Sequence, residues 1–490
     1  MITAAIADVA QRDPTRRAIG DARGWLNYAE LDAHVARLAH ALAERGIGPG
    51  AVVGLWAARD RLVPAAICAI WSVGAAYVAI DPRWPAARIH YVLEDSGARH
   101  TVTADDPAML LEQVGTDHGV LDISRATWHG AVHAASLGAP GLAYILYTSG
   151  STGSPKGVEI TRRNVAALFG YNRDWAPMGA HDVGIAFHSL TFDVSVWDTL
   201  RPLASGAAVL LCDQRMQADP GRVLSAVLEH RASHLCMTPT AFRAFQASAV
   251  ERGEPTGLRE VFLCGERLTF ADLEPWFDLH DEHTRLWNVY GPTETCVYST
   301  AFHVREQHVR DEPGSLIGTA LGHVKVAIGD PGDDGAGEIV ISGPGVARGY
   351  HNRPEQSNAV FEHGATSSYR TGDVGRRRST GDLEYLGRRD SQVKLRGYRV
   401  ELEEIETAAR RHPLVRDCVA VVSSVGRGDE IVLGVVGGVG DRDLRLFLAT
   451  TLPTYMIPSR TVRLDSLPAT SSGKLDRRTA LDLLNTSAAS

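Results

Sequence analysis

The 490-residue chain lacks the features that mark several large protein classes. Lys and Arg total 50 against 58 Asp and Glu, a formal net charge of -8. No basic field is therefore offered to nucleic acid or to an anionic membrane. The six cysteines, Cys68, Cys212, Cys236, Cys264, Cys296 and Cys418, show no C-x-x-C spacing, which suggests neither a zinc site nor a disulfide framework. No apolar run approaches the roughly 20 residues that span a bilayer. The N-terminus "MITAAIADVAQRDPTRR" lacks the charged start and unbroken apolar core of a signal peptide, so a reducing cytoplasm is the expected compartment. Internal repeats and low-complexity tracts are absent as well. What remains, 44% hydrophobic and 22% charged residues, is the composition of a soluble globular protein too long for one compact core.

Strand and helix patterns alternate along most of the chain. Leu31, Val35, Leu38 and Leu42 recur at helical spacing between charged residues and predict an amphipathic helix over 28–42. The runs "AVVGLWA" and "AAYVAID" flank a helical segment from Leu62 to Val73, and "GAAVLLCD", "ASHLCMTP" and "EVFLCGE" continue the alternation of a layered α/β protein. The turn cluster "PGDDG" precedes a sheet-rich region reaching about Gly387. Beyond it, "SQVKLRGYRVELEEIETAARRH" reads as a strand leading into a helix. With "DCVAVVSS" and "EIVLGVVGG" it suffices for a separate α+β domain of roughly a hundred residues.

The segment "YTSGSTGSPKG", from Tyr147 to Gly157, follows the apolar run Leu142–Leu146. That run reads as a fully buried strand, and the polar stretch as the loop leaving its carboxyl end, where ligands of open α/β sheets tend to sit. Clustered glycines and hydroxyls supply donors to an anion, a phosphate above all. The segment is not a Walker loop, because Lys156 lies between Pro155 and Gly157 instead of following Gly and preceding Ser or Thr. A flexible surface loop fits the same composition. Three carboxylates also stand in apolar surroundings: Asp193 in "TFDVSVWD", Glu294 in the Gly-Pro turn of "NVYGPTET" and Asp373 in a turn of "YRTGDVGR". Each is costly there unless paired with a cation, and a structural ion pair is the ordinary explanation of one such residue.

Taken in order, ten segments resemble the adenylate-forming superfamily, and most closely the amino-acid adenylation domains of nonribosomal peptide synthetases. They are "LNYAELD", "GAAYVAIDPRWP", "YTSGSTGSPKG", "FDVSVWD", "NVYGPTET", "GEIVISGPGVARGY", "YRTGDVGR", "GRRDSQVKLRGYRVELEEIE", "LPTYMIP" and "TSSGKLDRR", covering nearly the whole chain. The resemblance implies the acyl-adenylate-forming α/β fold: a large multi-subdomain N-terminal domain of layered sheets and helices over 1–388, and a small mobile α+β C-terminal domain over 389–490 with its hinge near Asp390. It implies joining of a carboxylate to AMP from ATP with release of pyrophosphate, then passage of the acyl group to a thiol.

On this resemblance Lys474 is the catalytic lysine, bridging carboxylate and phosphate oxygens. Thr148, Ser149, Gly150, Ser151, Thr152 and Gly153 cradle the β- and γ-phosphates with Lys156 assisting, and Thr293 contacts the α-phosphate. Glu294 holds Mg²⁺. Asp373 accepts from both ribose hydroxyls, Arg388 adds a ribose contact, Tyr290 stacks near adenine, and Asn288 and Gly291 complete the nucleotide site. Asp193 pairs with the α-ammonium of an amino acid, while Val194, Trp197, Cys236, Phe262, Cys264, Val289, Val297 and Tyr298 line the side-chain pocket. Apart from Asp193 and Lys474 these positions carry no formal charge, and three are bulky. A small neutral amino acid such as alanine, serine or glycine is therefore expected. A β-amino acid, which only shifts the amine by one carbon, is the alternative.

Asp390, Lys394 and Gly397 fall where the resemblance places the hinge and the thiol tunnel. The small domain is expected to swing after adenylation, withdrawing Lys474 and presenting "KLRGYRVE" for thioester formation. The sequence shows no carrier-like "LGG" segment followed by a Ser, so the expected partner is a separate carrier protein bearing phosphopantetheine. Arg162 stands where many relatives carry His, past the phosphate loop, with little expected effect on catalysis. Two rivals remain: an acyl- or aryl-CoA ligase, against which Asp193 argues, and an inactive scaffold member, against which Lys474, Glu294 and Asp373 together argue.

Overall fold

The computed structural model describes residues 2–56, 59–124, 141–150, 153–280, 283–312, 314–390, 392–395, 397–424, 429–468 and 475–486, with 172–174 as backbone only. The chain forms two compact units. Met1–Pro82, Leu93–Leu146 and Gly157–Arg389 make the first, and Arg83–Val92, Tyr147–Lys156 and Asp390–Ser490 the second. Among the described residues no helix is long and apolar enough to cross a membrane.

The first unit carries a fourteen-stranded sheet whose middle is parallel. Arg17–Asp21, Ala208–Leu211, Val183–Ala186, His234–Met237, Glu260–Leu263 and Arg285–Tyr290 run side by side in that order. Past Arg285–Tyr290 the sheet turns antiparallel through Thr300–Val304, Ser315–Ala320, Leu383–Arg388, Ser368–Arg377, Ala336–Ser342 and Lys325–Gly329. Ala208–Leu211, His234–Met237 and Glu260–Leu263 are buried along their whole length, as parallel strands covered on both faces must be, and this is why their sequences read as short apolar runs. A six-stranded sheet orders Gly119–Asp122, His100–Thr103, Val52–Trp56, Ala76–Ile80, Leu142–Thr148 and Lys156–Thr161.

The helix Tyr28–Glu44 buries Leu31, Val35, Leu38 and Leu42, the residues that share one face at 3.6-residue spacing. Asn27 caps it. Its side chain accepts from the Glu30 amide at 2.8 Å while the Glu30 carboxylate accepts from the Asn27 amide at 2.8 Å. This reciprocal box contributes on the order of 1 kcal/mol.

In the second unit, Val415–Ser423, Glu430–Gly437 and Arg460–Arg463 form a three-stranded sheet. Alternation divides its side chains. Cys418 and Ala420 pack with Ile405, Leu444, Leu448 and Met456 on one face, whereas Val419 and Val421 meet Ala480 and Leu484 on the other.

Three local expectations change. The strand Leu142–Thr148 runs two residues further than the apolar run, and Lys156 opens the next strand, so the loop proper is 149–155. Residues 392–401 form a hairpin of Gln392–Leu395 and Tyr398–Glu401 rather than one strand, because Gly397 takes φ +83°, which lets the chain reverse before the helix Leu402–Ala409. Asp373 lies within the strand Ser368–Arg377 instead of a turn. Gly372 at φ +73° and a register shift at Val374/Gly375 absorb the irregularity without ending the ladder.

Candidate active site

The carboxyl ends of the parallel strands converge on Asp193. This residue caps the helix Val194–Ala204, its carboxylate accepting from the Val194 amide at 2.8 Å, and it is buried. Burial pushes its carboxyl up to about 6, with Cys264 and Glu294 acting in the same sense and the Thr293 hydroxyl and Val194 amide opposing. Among the described residues no basic side chain pairs with it. The helix end and the hydroxyl stabilise an anion there, but the position of a countercharge is left open. Thr293, expected at an α-phosphate, thus also serves Asp193.

Glu294 lies in the 3₁₀ turn Thr293–Thr295, fully buried, and accepts from the Tyr350 hydroxyl at 2.8 Å. Its own carbonyl accepts from the Ala347 amide at 2.8 Å. Past it the backbone is strained: Cys296 and Val297 take φ +59° and +76°, rare for any side chain and rarer for a β-branched one. That turn folds Val297 back onto Gly291, where a Cβ would stand 2.2 Å from the Val297 carbonyl, so only glycine fits. Val297 and Tyr298 are thereby buried beside Val289.

Asp373 is held from three sides. Tyr290 donates to Oδ2 at 2.6 Å, Arg388 Nη1 to Oδ1 at 2.7 Å, and the Tyr385 hydroxyl stands 3.5 Å from Oδ1. The pairing of Asp373 with Arg388 follows from strand register, since the two are direct partners across the ladder. Tyr290 therefore meets the carboxylate with its hydroxyl while its ring lies 6.1 Å from that of Tyr385. Asn288, two residues earlier, gives its amide to the Leu316 carbonyl at 2.7 Å.

Trp197, expected at the side-chain pocket, stands edge-on to Phe262 at 4.7 Å and to Tyr298 at 5.1 Å. Cys236 stands 3.0 Å from the Tyr298 hydroxyl and 3.7 Å from Cys264. A cavity of only about 10 Å³ remains beside Trp197, Asp198, Arg201, Cys236 and Phe262, room for about one water. The expected pocket positions are uncharged beyond Asp193 and Lys474, but a buried cation lies beside them. Arg201 follows Trp197 by one helical turn, so it shares that face and lies 4.4 Å over the Trp197 ring and 5.7 Å from Phe262. It also donates to the Ala176 carbonyl, and burial pulls its guanidinium down to about 10. Asp198 lines the same cavity and is hydrogen-bonded to His188 Nδ1 at 2.9 Å.

In the second unit, Ser149 donates to the Arg399 carbonyl at 2.9 Å and accepts from the Glu401 amide at 3.1 Å, while the Gly150 amide donates to Glu404 at 3.3 Å. A Cβ at Gly150 would lie 2.0 Å from the Ser154 carbonyl, and Gly153 takes φ +81°, so both glycines are required by the loop's shape. The Thr148 hydroxyl is buried with no partner among the described residues, as fits a loop built for an exogenous anion. Lys394 pairs with Arg399 across the hairpin, and Asp390 accepts from the Gln392 amide at 3.2 Å. Ser151, Thr152 and Lys474 lie outside the described residues. Arg162 donates to the Ala75 carbonyl at 3.0 Å, a structural bond.

The sequence reading missed Tyr385, Tyr350, Arg201, His188 and Asp198. His188 lies four residues before the "FDVSVWD" motif and Asp198 is its last residue, which was the one available signal.

The AMP-binding enzyme family model matches residues 6–351, and that of the AMP-binding enzyme C-terminal domain matches 404–474. A dimodular nonribosomal peptide synthase of Bacillus subtilis (strain 168) is 34% identical over 482 residues, which are 92% of this chain and 20% of that protein. The chain thus spans about a fifth of that relative. Syringomycin synthase SyrB1 of Pseudomonas syringae pv. syringae is 34% identical over 492 residues, 96% of this chain and 80% of that one. The structure of PA1221, a nonribosomal peptide synthetase protein containing adenylation and carrier domains, superimposes with a TM-score of 0.84 at 26% identity, covering 98% of this chain and 84% of that one.

Proposed function

Because the chain belongs to the AMP-binding enzyme family, as an adenylate-forming enzyme of the type found in nonribosomal peptide synthetases, we propose that it activates a small amino acid and passes it to the phosphopantetheine thiol of a separate carrier protein. The observation that carries this reading is Asp193: a buried carboxylate, without a cation among the described residues, at the head of a helix. A substrate ammonium supplies the missing charge and a charge-assisted hydrogen bond. The aromatic floor of Trp197, Phe262 and Tyr298, with almost no space behind it, supports a short side chain.

In the proposed reaction a carboxylate oxygen attacks the α-phosphorus of ATP, and the bond to pyrophosphate breaks. Two anions must meet, so donors and cations are needed around the phosphate. Lys474 takes that role, Thr293 supplies a hydroxyl, and the 148–153 loop with Lys156 holds the leaving phosphates. Asp373 and Arg388 position the ribose. Magnesium suits Glu294, because that ion takes hard oxygen ligands from one or two carboxylates together with substrate phosphates. When bound it supplies neutralisation of phosphate charge. The two domains expected from the sequence, 1–388 and 389–490, then turn about Asp390, and the Lys394–Gly397 hairpin serves thioester formation.

The test is pyrophosphate release across the proteinogenic amino acids, β-amino acids and amine-free carboxylic acids, followed by loading of a holo carrier protein. A small α- or β-amino acid is expected to lead. Best turnover with amine-free acids and free coenzyme A overturns the reading in favour of a CoA ligase.

A further inference from the structure

We propose that His188, Cys236 and Cys264 bind a zinc ion beneath the amino-acid pocket. The three residues come from the carboxyl ends of three neighbouring parallel strands, Val183–Ala186, His234–Met237 and Glu260–Leu263. Cys236 Sγ lies 3.7 Å from Cys264 Sγ, Cys264 Sγ lies 4.0 Å from His188 Nε2, and the three ligand atoms all fall within 4.8 Å of one another. Tetrahedral zinc with bonds of about 2.3 Å to sulfur and 2.0–2.1 Å to nitrogen requires edges of about 3.8 Å between sulfurs and about 3.6 Å between sulfur and nitrogen. The sulfur–sulfur edge already matches, and the sulfur–nitrogen edges, at 4.0 Å and within 4.8 Å, must shorten as the side chains close on the ion.

A second observation is independent of those distances. His188 Nδ1 donates to Asp198 Oδ2 at 2.9 Å, and the same oxygen accepts from the His188 amide at 3.1 Å. The carboxylate thus fixes the ring so that the lone pair of Nε2 faces the sulfurs, the orientation that carboxylate–histidine–zinc sites use. Asp198 is a positioning residue here, itself braced by the Thr199 hydroxyl at 3.2 Å. The Tyr298 hydroxyl lies 3.0 Å from Cys236 Sγ, a polar neighbour on the sulfur side of the site.

Charge and softness agree with this choice. Zinc displaces one proton from each thiol, and two thiolates with a neutral imidazole balance its double charge, so the buried site stays neutral. Thiolate ligands exclude magnesium, which keeps this site chemically distinct from Glu294. Linear spacing hides it, since the ligands are separated by 48 and 28 residues in "AFHSL", "HLCMT" and "FLCGE" and meet only through the sheet. The ion ties three strand ends together under Trp197 and Phe262, and so sets the depth of the pocket.

The experiment uses the full chain, purified under reducing conditions, stripped with a chelator and titrated with Zn²⁺ against a chromophoric chelator, with Co²⁺ as a spectroscopic stand-in. Stoichiometric zinc, and a tetrahedral cobalt spectrum with a thiolate charge-transfer band, are expected. Cys236→Ser, Cys264→Ser and His188→Ala should each abolish the band. Asp198→Asn should weaken zinc by about 10–100-fold while keeping it, and Cys418→Ser, in the second unit, should leave it unchanged. Circular dichroism and Tm of the stripped variants separate lost binding from lost folding. Zinc affinity no better than that of the Cys236→Ser/Cys264→Ser double variant overturns the proposal, as does a cobalt spectrum without thiolate character.

Discussion

Tyr290 donates its hydroxyl to Asp373 Oδ2 at 2.6 Å while Arg388 takes Oδ1 at 2.7 Å, so the carboxylate is fixed before any ligand arrives. Each carboxylate oxygen accepts more than one hydrogen bond, which leaves capacity for two ribose hydroxyls. Tyr290→Phe removes one brace only, and the ATP KM should rise by less than about tenfold, the range of one hydrogen bond. Asp373→Ala strands the half-buried Arg388 as well as the ribose; its ATP KM should rise far more and its Tm should fall. Steady-state kinetics with varied ATP, alongside thermal melts, check both.

Lys474→Ala should slow adenylate formation by about 10²–10³-fold, the loss seen when one preorganised donor to a developing charge is removed. Thiol transfer from a supplied aminoacyl-adenylate should survive, because the proposed turn about Asp390 withdraws Lys474 before that step. Equal loss in both half-reactions contradicts the two-state cycle. Single-turnover assays of each half-reaction separate the outcomes.

The pH dependence follows from Asp193, whose carboxyl is raised from 3.8 to about 6 by burial. The folded protein holds this proton longer than the unfolded chain, so the group's contribution to stability falls as pH rises from about 4 to about 6. Substrate binding runs the other way. An ammonium needs the ionised carboxylate, so the amino-acid KM should rise by about tenfold per pH unit below about 6, then level off above it. The ATP KM carries no such inflection. Pyrophosphate-exchange kinetics at pH values on both sides of about 6 give the profile.

Phe262→Ala should admit longer side chains, because Phe262 meets Trp197 edge-on at 4.7 Å and on the proposed reading closes the pocket floor. The same truncation leaves a buried void costing about 3–5 kcal/mol, so the variant should melt earlier. A substrate panel unchanged by the substitution contradicts the assignment of Phe262 to the floor.

The sequence is most informative where chemistry and local pattern coincide. The helix over Tyr28–Glu44 and the buried strands ending at Met237 and Leu263 are legible from period and run length. Asp193 and Glu294 stand out because a carboxylate amid apolar neighbours is costly. Tyr385 and Arg388 reach Asp373 through antiparallel register, which single-strand patterns do not disclose. Arg201 reads as an ordinary helix residue until packing places its guanidinium over Trp197. The hairpin at Gly397 was hidden because two four-residue strands and their turn read as one polar-apolar alternation.

The central claim, that Asp193 receives the ammonium of an amino acid, is tested most directly by Asp193→Asn in pyrophosphate exchange with amino acid and ATP varied in turn. The substitution keeps shape and one acceptor but removes the charge. The account predicts an amino-acid KM raised by about 10–100-fold, the worth of a charge-assisted hydrogen bond, with the ATP KM within about twofold of the parent. An amino-acid KM that does not move contradicts it.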